Sequence, residues 1–184
     1  MPIEPGAGYS ARPVRIVVPE LSFVVLIGPS GAGKSTFARR HFKPTEILSS
    51  DTYRGFVSDD ENDQGATEDA FDALYCVARK RLGRGRLTVL DATSVQPESR
   101  KKAVALAREF ARLPIAIVFD LPEQLCDERN RARTDRDFNP YLASTQRQQM
   151  LRGLQDLERE GFRHIYRLGS VDEVETVAVV REPL

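Results

Sequence analysis

Four short stretches of this chain carry residues of the type and spacing that could do chemistry. The first is "GPSGAGKST" at 28–36, where Gly28, Gly33, Lys34 and Ser35 satisfy the spacing G-x-x-x-x-G-K-[ST]. Glycines at these places let the main chain wrap closely with its amides turned inward, as a nest for phosphate oxygens. A helix beginning directly after the loop adds the partial positive charge of its N-terminus. Between an apolar run and a helical segment, this spacing predicts a nucleoside triphosphate site. Its expected contacts are Gly28, Ser30, Gly31, Ala32, Gly33, Lys34, Ser35 and Thr36. Lys34 would reach the β- and γ-phosphates, and the Ser35 hydroxyl would join the shell of a Mg²⁺ ion.

The second stretch is "EILSSDTYRG" at 46–55. Asp51 is expected at the end of the second core strand, and in open α/β sheets the ligand sits beyond the carboxyl ends of the strands. A carboxylate there can take the proton of an attacking hydroxyl and hold that oxygen in line with the γ-phosphate. Such groups typically contribute about 10²–10⁴-fold. Arg54 could hold a phosphate of the acceptor. The alternatives are a helix N-cap for Asp51 and a solvated charge for Arg54. The third stretch, "LTVLDATS" at 87–94, puts Asp91 after a hydrophobic strand. A carboxylate so placed can hold Mg²⁺ through a water, and a capping role is the alternative. The fourth, "DERNRARTDRDF" at 127–138, spaces Arg129, Arg133 and Arg136 along one stripe of a helix, with Arg131 off it. Three guanidinium groups on one face suit a lid over a triphosphate and can supply transition-state charge. The alternative is a solvated basic helix paired with Asp127, Glu128, Asp135 and Asp137.

These residues need a scaffold, and the pattern of the chain supplies one. Short β-rich apolar runs at 14–18, 23–27, 46–48, 87–90, 115–119 and 164–168 alternate with helical segments at 34–41, 67–82, 97–111, 122–133 and 140–160. Such alternation predicts an α/β fold, with a mostly parallel sheet flanked by helices and an arginine-bearing helical lid. Pro97, Pro122 and Pro140 suit helix starts, Asn139 suits an N-cap, and Gly161 suits a helix end. Phe71, Leu74, Tyr75, Ala78 and Leu82 follow helical spacing and read as core. Arg100, Lys101 and Lys102 read as a solvated face. The acidic stretch "SDDENDQGATED" at 58–69 reads as the loop leading into the helix that starts near Thr67. Residues 1–13, rich in Pro and Gly, read as a flexible extension ahead of one domain at 14–184.

Composition narrows the classes of function. The 184 residues are 41% hydrophobic and 29% charged, ordinary for a globular protein. Net charge is zero, so no overall basic field draws nucleic acid, and such a partner would be gripped over a few phosphates. Cys76 and Cys126 are far apart and read as reduced thiols in a cytoplasmic protein. No apolar run approaches the roughly 18 residues of a membrane span. His41 and His164 lack metal-ligand spacing, so zinc is not expected.

Taken together, "GPSGAGKST", "SSDTYRGFVSDDENDQ", "DAT" and "ERNRARTDR" resemble the kinase module of bacterial polynucleotide kinase-phosphatase. The resemblance runs from about Ile16 to the last residues. In that family the module is the N-terminal part of an RNA end-healing and sealing enzyme, with phosphatase and ligase modules after it. The resemblance implies Mg²⁺-dependent transfer of the γ-phosphate of ATP or another NTP to the 5′-OH end of RNA or DNA. Asp51 then matches the general base, Arg54 its acceptor-side arginine, and Arg129, Arg133 and Arg136 the lid. After "DAT" related kinases often carry Asn, whereas Ser94 stands here. No motif reads adenine edges, so loose donor selectivity is expected. A kinase for a small metabolite or nucleotide, and a nucleotide-regulated binding module without an acceptor, remain the competing readings.

Overall fold

A computed structural model of the chain describes residues 15–135 and 139–183. The expected extension at 1–13, and Val14, Arg136 and Asp137, lie outside the described residues. In chain order the elements are β1 (Arg15–Pro19), β2 (Ser22–Ile27), α1 (Lys34–His41), β3 (Ile47–Ser49), α2 (Ser50–Ser58), α3 (Thr67–Gly83), β4 (Thr88–Asp91), α4 (Pro97–Glu109), β5 (Leu113–Phe119), α5 (Glu123–Arg131), α6 (Leu142–Gly153), α7 (Leu157–Glu160), β6 (His164–Leu168), α8 (Val171–Thr176) and β7 (Ala178–Glu182).

Five strands form one parallel sheet in the order β3-β4-β2-β5-β6. The central strand β2, "SFVVLI", is buried along its whole length. A strand covered on both faces reads as a continuous apolar run, and its alternate residues serve opposite layers. Phe23, Val25 and Ile27 pack with Leu74, Ala78 and Leu82 of α3 and with Ala103, Val104 and Ala107 of α4. Val24 and Leu26 pack on the other face with Phe37 and Ala38 of α1 and Ile16 and Val18 of β1. The crossover after β2 leads to β3 on one side, and the crossover after β4 leads to β5 on the other. That reversal opens a crevice above the carboxyl ends of the central strands.

Several expectations are corrected. β1 is not a member of the main sheet; it pairs in parallel with β7, which the sequence pattern missed. The two strands are separated by most of the chain, so nothing local announces their pairing. Asp51 is not at a strand end but in the first turn of α2, a nine-residue helix that was also missed. Its Ser, Asp, Thr, Tyr and Gly are weak helix formers, and packing against α3 supplies what propensity does not. The helix expected at 140–160 is broken into α6, a 3₁₀ turn at Leu154–Asp156, and α7, which ends at Gly161 with φ 111°. Asn139 does not cap α6; its side chain accepts a bond from the Tyr141 amide at 3.0 Å, one turn earlier. α5 stops at Arg131, so Arg129 and Arg133 do not share one continuous helical stripe. Arg100 is buried, whereas Lys101 and Lys102 are exposed as expected.

Candidate functional site

The glycine-rich loop follows β2 directly and turns into α1. Gly31 and Gly33 have φ of 82° and 88°, a region that side chains rarely enter. A Cβ at position 31 would also collide with the carbonyl of Cys126. Helix α1 has Gly33 at its cap, no side-chain capping bond and no acidic residue in its first turn. Its first amides are therefore not engaged by a capping side chain, which suits an anion. Lys34 is buried and its Nζ donates to the Pro29 carbonyl at 2.8 Å. Burial pushes its ammonium down to about 8, against the opposing pull of the Asp91, Cys126 and Asp51 charges.

Asp91 closes β4 and is buried. Burial raises its pKa, while a hydrogen bond from the Ser35 side chain and the charge of Lys34 lower it. A hydroxyl and a carboxylate side by side, next to a phosphate nest, fit Mg²⁺, which keeps several waters and takes its remaining oxygens from substrate phosphates. Among the described residues no group of three or more His, Cys, Asp or Glu could hold a metal by itself. Ser35 and Asp91 are the residues that would hold the ion, and it would neutralise charge between the outer phosphates.

Asp51 and Arg54 project into the same cavity, which has a volume of about 940 Å³. The cap of α2 is Ser49, not Asp51, and the Asp51 carboxylate pairs with Arg54. Arg54 is buried rather than solvated, and its Nε donates to the Glu61 carbonyl at 2.8 Å. Beyond this pair the cavity wall continues through Gln64, Thr67 and Phe71. Phe71 had read as core; it packs against the core with one side and lines the cavity with another. The arrangement places a desolvated lysine, a hydroxyl–carboxylate pair and a carboxylate–guanidinium pair around one space.

The lid arginines are placed differently from one another. Arg129, on α5, donates from Nη1 to the Gly31 carbonyl at 3.3 Å and lies over the loop. Arg133, two residues past α5, forms two bonds to Asp135, at 3.0 and 2.7 Å, and also lines the cavity. Those bonds raise its pKa further, with Asp51 and Glu61 adding to the effect. Asn62 Nδ2 donates to the Asp135 carbonyl at 2.6 Å, so the acidic loop touches the lid across the cavity mouth.

Two further residues were missed. Asn130 Nδ2 donates to the Ser30 carbonyl at 3.2 Å and its Oδ1 accepts from the Ser30 hydroxyl at 3.0 Å. Gln146 of α6 accepts from the Ser30 amide at 2.7 Å. These amides lie 100 and 116 residues from the Ser30 they hold, and no spacing rule connects them to it. A separate cleft of about 590 Å³ lies beyond β5 and β6, where Asp120 pairs with both Arg147 and Arg167.

A family model described as an AAA domain matches residues 23–157. Among solved structures, one chain of the Pnkp1/Rnl/Hen1 RNA repair complex aligns with a TM-score of 0.64 and 18% identity, over 82% of this chain and 49% of that one. The APS kinase CysC of Mycobacterium tuberculosis aligns with a TM-score of 0.53 and 19% identity, over 86% of this chain and 93% of that one. A chain of the PezAT toxin-antitoxin system of Streptococcus pneumoniae aligns with a TM-score of 0.57 and 17% identity, over 84% and 69%. The chain thus spans about half the length of the repair-complex chain. At these identities the alignments show a shared α/β P-loop fold. No curated protein matches the chain. No helix among the described residues is long and apolar enough to cross a membrane.

Proposed function

The chain belongs to the AAA domain family, and we propose that it is a polynucleotide kinase that transfers the γ-phosphate of an NTP, with Mg²⁺, to the 5′-OH end of RNA or DNA in RNA repair. The observation that carries this reading is the Asp51–Arg54 pair, which opens onto the cavity that also holds Lys34, Ser35 and Asp91. A nucleotide switch or motor needs a donor site and a water; a carboxylate paired with an arginine on the far wall suits an acceptor hydroxyl with a phosphate behind it. Asp51 orients that hydroxyl, Arg54 holds the acceptor, Lys34 and the loop amides hold the triphosphate, and Arg129 and Arg133 cover it. The motifs that resemble bacterial polynucleotide kinase-phosphatase supply the polymer end, and with it an expectation of phosphatase and ligase modules as partners.

The test is transfer of label from Mg²⁺-ATP to a 5′-OH oligonucleotide. The wild-type protein forms labelled 5′-phosphate, and Asp51→Asn lowers that rate about 10²–10⁴-fold with nucleotide affinity kept. No labelled 5′-phosphate under conditions where the nucleotide binds would sink the proposal. One observation favours a second reading, a kinase for a small acceptor. The acidic segment at 59–63 borders the cavity through Glu61 and would repel a phosphate backbone. A panel of oligonucleotide, nucleoside monophosphate and small sugar separates the two.

A further inference from the structure

We infer that Arg100 is a positioning residue for phosphoryl transfer: from inside the core it holds the turn after Asp91 in the shape the magnesium side of the site needs. The inference rests on the phosphotransfer reading of Lys34, Ser35 and Asp91, and names a residue outside the cavity. Arg100 is 1% exposed and is among the largest fully buried side chains of the protein. It lies in the first turn of α4, where a cation opposes the helix dipole, so its location is not explained by the helix itself.

Its fork does two things. Nε and Nη2 donate to the two carboxylate oxygens of Glu160, on α7, at 2.7 Å each. Nη1 donates to the Val95 carbonyl at 2.7 Å and approaches the Ser94 carbonyl at 3.4 Å. That second contact is to the main chain of the turn that leaves Asp91. Ala92 and Thr93 of this turn line the cavity, and the Thr93 carbonyl accepts from the Gly28 amide at 2.9 Å, at the first residue of the phosphate loop. Ser94 has φ 48°, in the left-handed region, and its buried hydroxyl has no hydrogen-bond partner among the described residues. A strained, under-satisfied backbone of this kind persists only where its surroundings over-determine it. Arg100 is the charged donor that does so.

Packing supports the same assignment. The guanidinium lies against Gly153 of α6, where a Cβ would stand 2.5 Å from Nη2. α6 also carries Gln146, which holds the Ser30 amide. The consecutive helices α6 and α7 therefore brace the phosphate loop directly, through Gln146, and the Asp91 turn indirectly, through Glu160 and Arg100. A buried ion pair is weak evidence for a stabilising role, because well-packed apolar residues often replace it without loss. The contact to Val95 has no such substitute.

Three variants separate positioning from stability: Arg100→Met/Glu160→Met together, Arg100→Lys, and Glu160→Gln. The double variant is expected to keep its Tm while kcat falls about tenfold to a hundredfold, the scale on which an ångström of displacement in a catalytic group acts. The Mg²⁺ concentration for half-maximal rate rises in the same variant, and KM for the acceptor stays. Arg100→Lys keeps a charge for Glu160 but loses the Nη1 bond to the Val95 carbonyl, so kcat falls; Glu160→Gln keeps that bond, so Tm falls and kcat holds. Wild-type kcat and Mg²⁺ dependence in the double variant overturn the inference, as does kcat that merely tracks Tm across all three. Should the double variant fail to fold, the two single variants decide: equal kcat in both overturns it. If the wild-type protein transfers no phosphate, the kinase proposal fails separately. The Arg100 role is then read by calorimetry of ATP binding with and without Mg²⁺, and an unchanged Mg²⁺ dependence in Arg100→Lys overturns it.

Discussion

Replacing Lys34 with Met is expected to make the nucleotide-free protein more stable while removing what nucleotide adds. The lysine is buried, and burial holds its ammonium at about 8, down from 10.5. At about 1.4 kcal/mol per tenfold change in protonation, that depression is about 3 kcal/mol of penalty on the charged form. Loss of the bond from the charged Nζ to the Pro29 carbonyl returns about 2 kcal/mol. The net gain is about 1 kcal/mol, or a rise in Tm of about 2–4 °C for a chain of this size. The sign with pH follows. Because the folded pKa lies below the unfolded one, the unfolded chain binds more protons between pH about 8 and 10.5, so the wild-type protein gains stability from this group as pH rises through that window. Burial also pushes the Tyr75 phenol up to about 12, which works the other way above pH about 10, so the diagnostic is the difference between the two proteins. Urea unfolding at about pH 7 and about pH 10, with and without Mg²⁺-ATP, measures all of this. The stability difference between variant and wild type should shrink at the higher pH. Ligand at a hundred times Kd should add about 2.7 kcal/mol to the wild type and far less to the variant. A variant that is less stable than the wild type at pH 7, or a difference that does not change with pH, refutes the reasoning.

Three other outcomes follow from single positions. Ser94→Gly relieves a left-handed φ and deletes an unpartnered buried hydroxyl, so urea unfolding should show a gain of about 1 kcal/mol after the entropy cost of glycine. Gly31→Ala drives a Cβ into the Cys126 carbonyl at a positive φ, and calorimetry should show lost ATP binding together with a destabilisation of about 2 kcal/mol or more. Asp91→Asn removes a carboxylate that burial disfavours, so the nucleotide-free Tm should hold or rise, while the Mg²⁺ needed for half-maximal transfer increases about tenfold or more.

The donor side was legible because it is written in nine consecutive residues. A nest of amides depends on local φ and ψ, and glycines announce those angles in the sequence. The same holds for α1, whose expected span is the observed one, and for the sheet, whose buried strands read as apolar runs. The proposed acceptor side was legible only as residue types. Asp51 and Arg54 were named, yet the helix that carries them was not, since its stability comes from α3 rather than from its own residues. The arginine lid was read one step too regularly: 3.6-residue spacing was present, but α5 stops at Arg131, and Arg133 beyond it pairs with Asp135. Arg100 was read as solvated because three consecutive basic residues resemble a surface, whereas the distant Glu160 and the Val95 carbonyl give one of them its partners in the core. The pattern shows periodicity and local geometry; it does not show pairings across sixty or a hundred residues.

The partners already present around the cavity change how binding at this site must be understood. Four of its cations are not loose charges waiting for phosphate. Lys34 is bonded to the Pro29 carbonyl, Arg54 to Asp51 and the Glu61 carbonyl, Arg129 to the Gly31 carbonyl, and Arg133 to Asp135. A triphosphate therefore gains only the difference between its own oxygens and the partners already present. That difference is largest where the present partner is a neutral carbonyl, as for Lys34 and Arg129, because a charged acceptor makes the stronger bond. It is smallest where the partner is a carboxylate, as for Arg54 and Arg133. On the proposed reading, those two groups are the ones expected to hold the donor. Arg133 can join them only by leaving Asp135, and Arg54 keeps its hold on Asp51 unless an acceptor phosphate competes. The same chain that looks evenly balanced in net charge is graded in this way across a single cavity, with neutral carbonyl partners on the loop side and carboxylate partners on the α2 and Arg133 side.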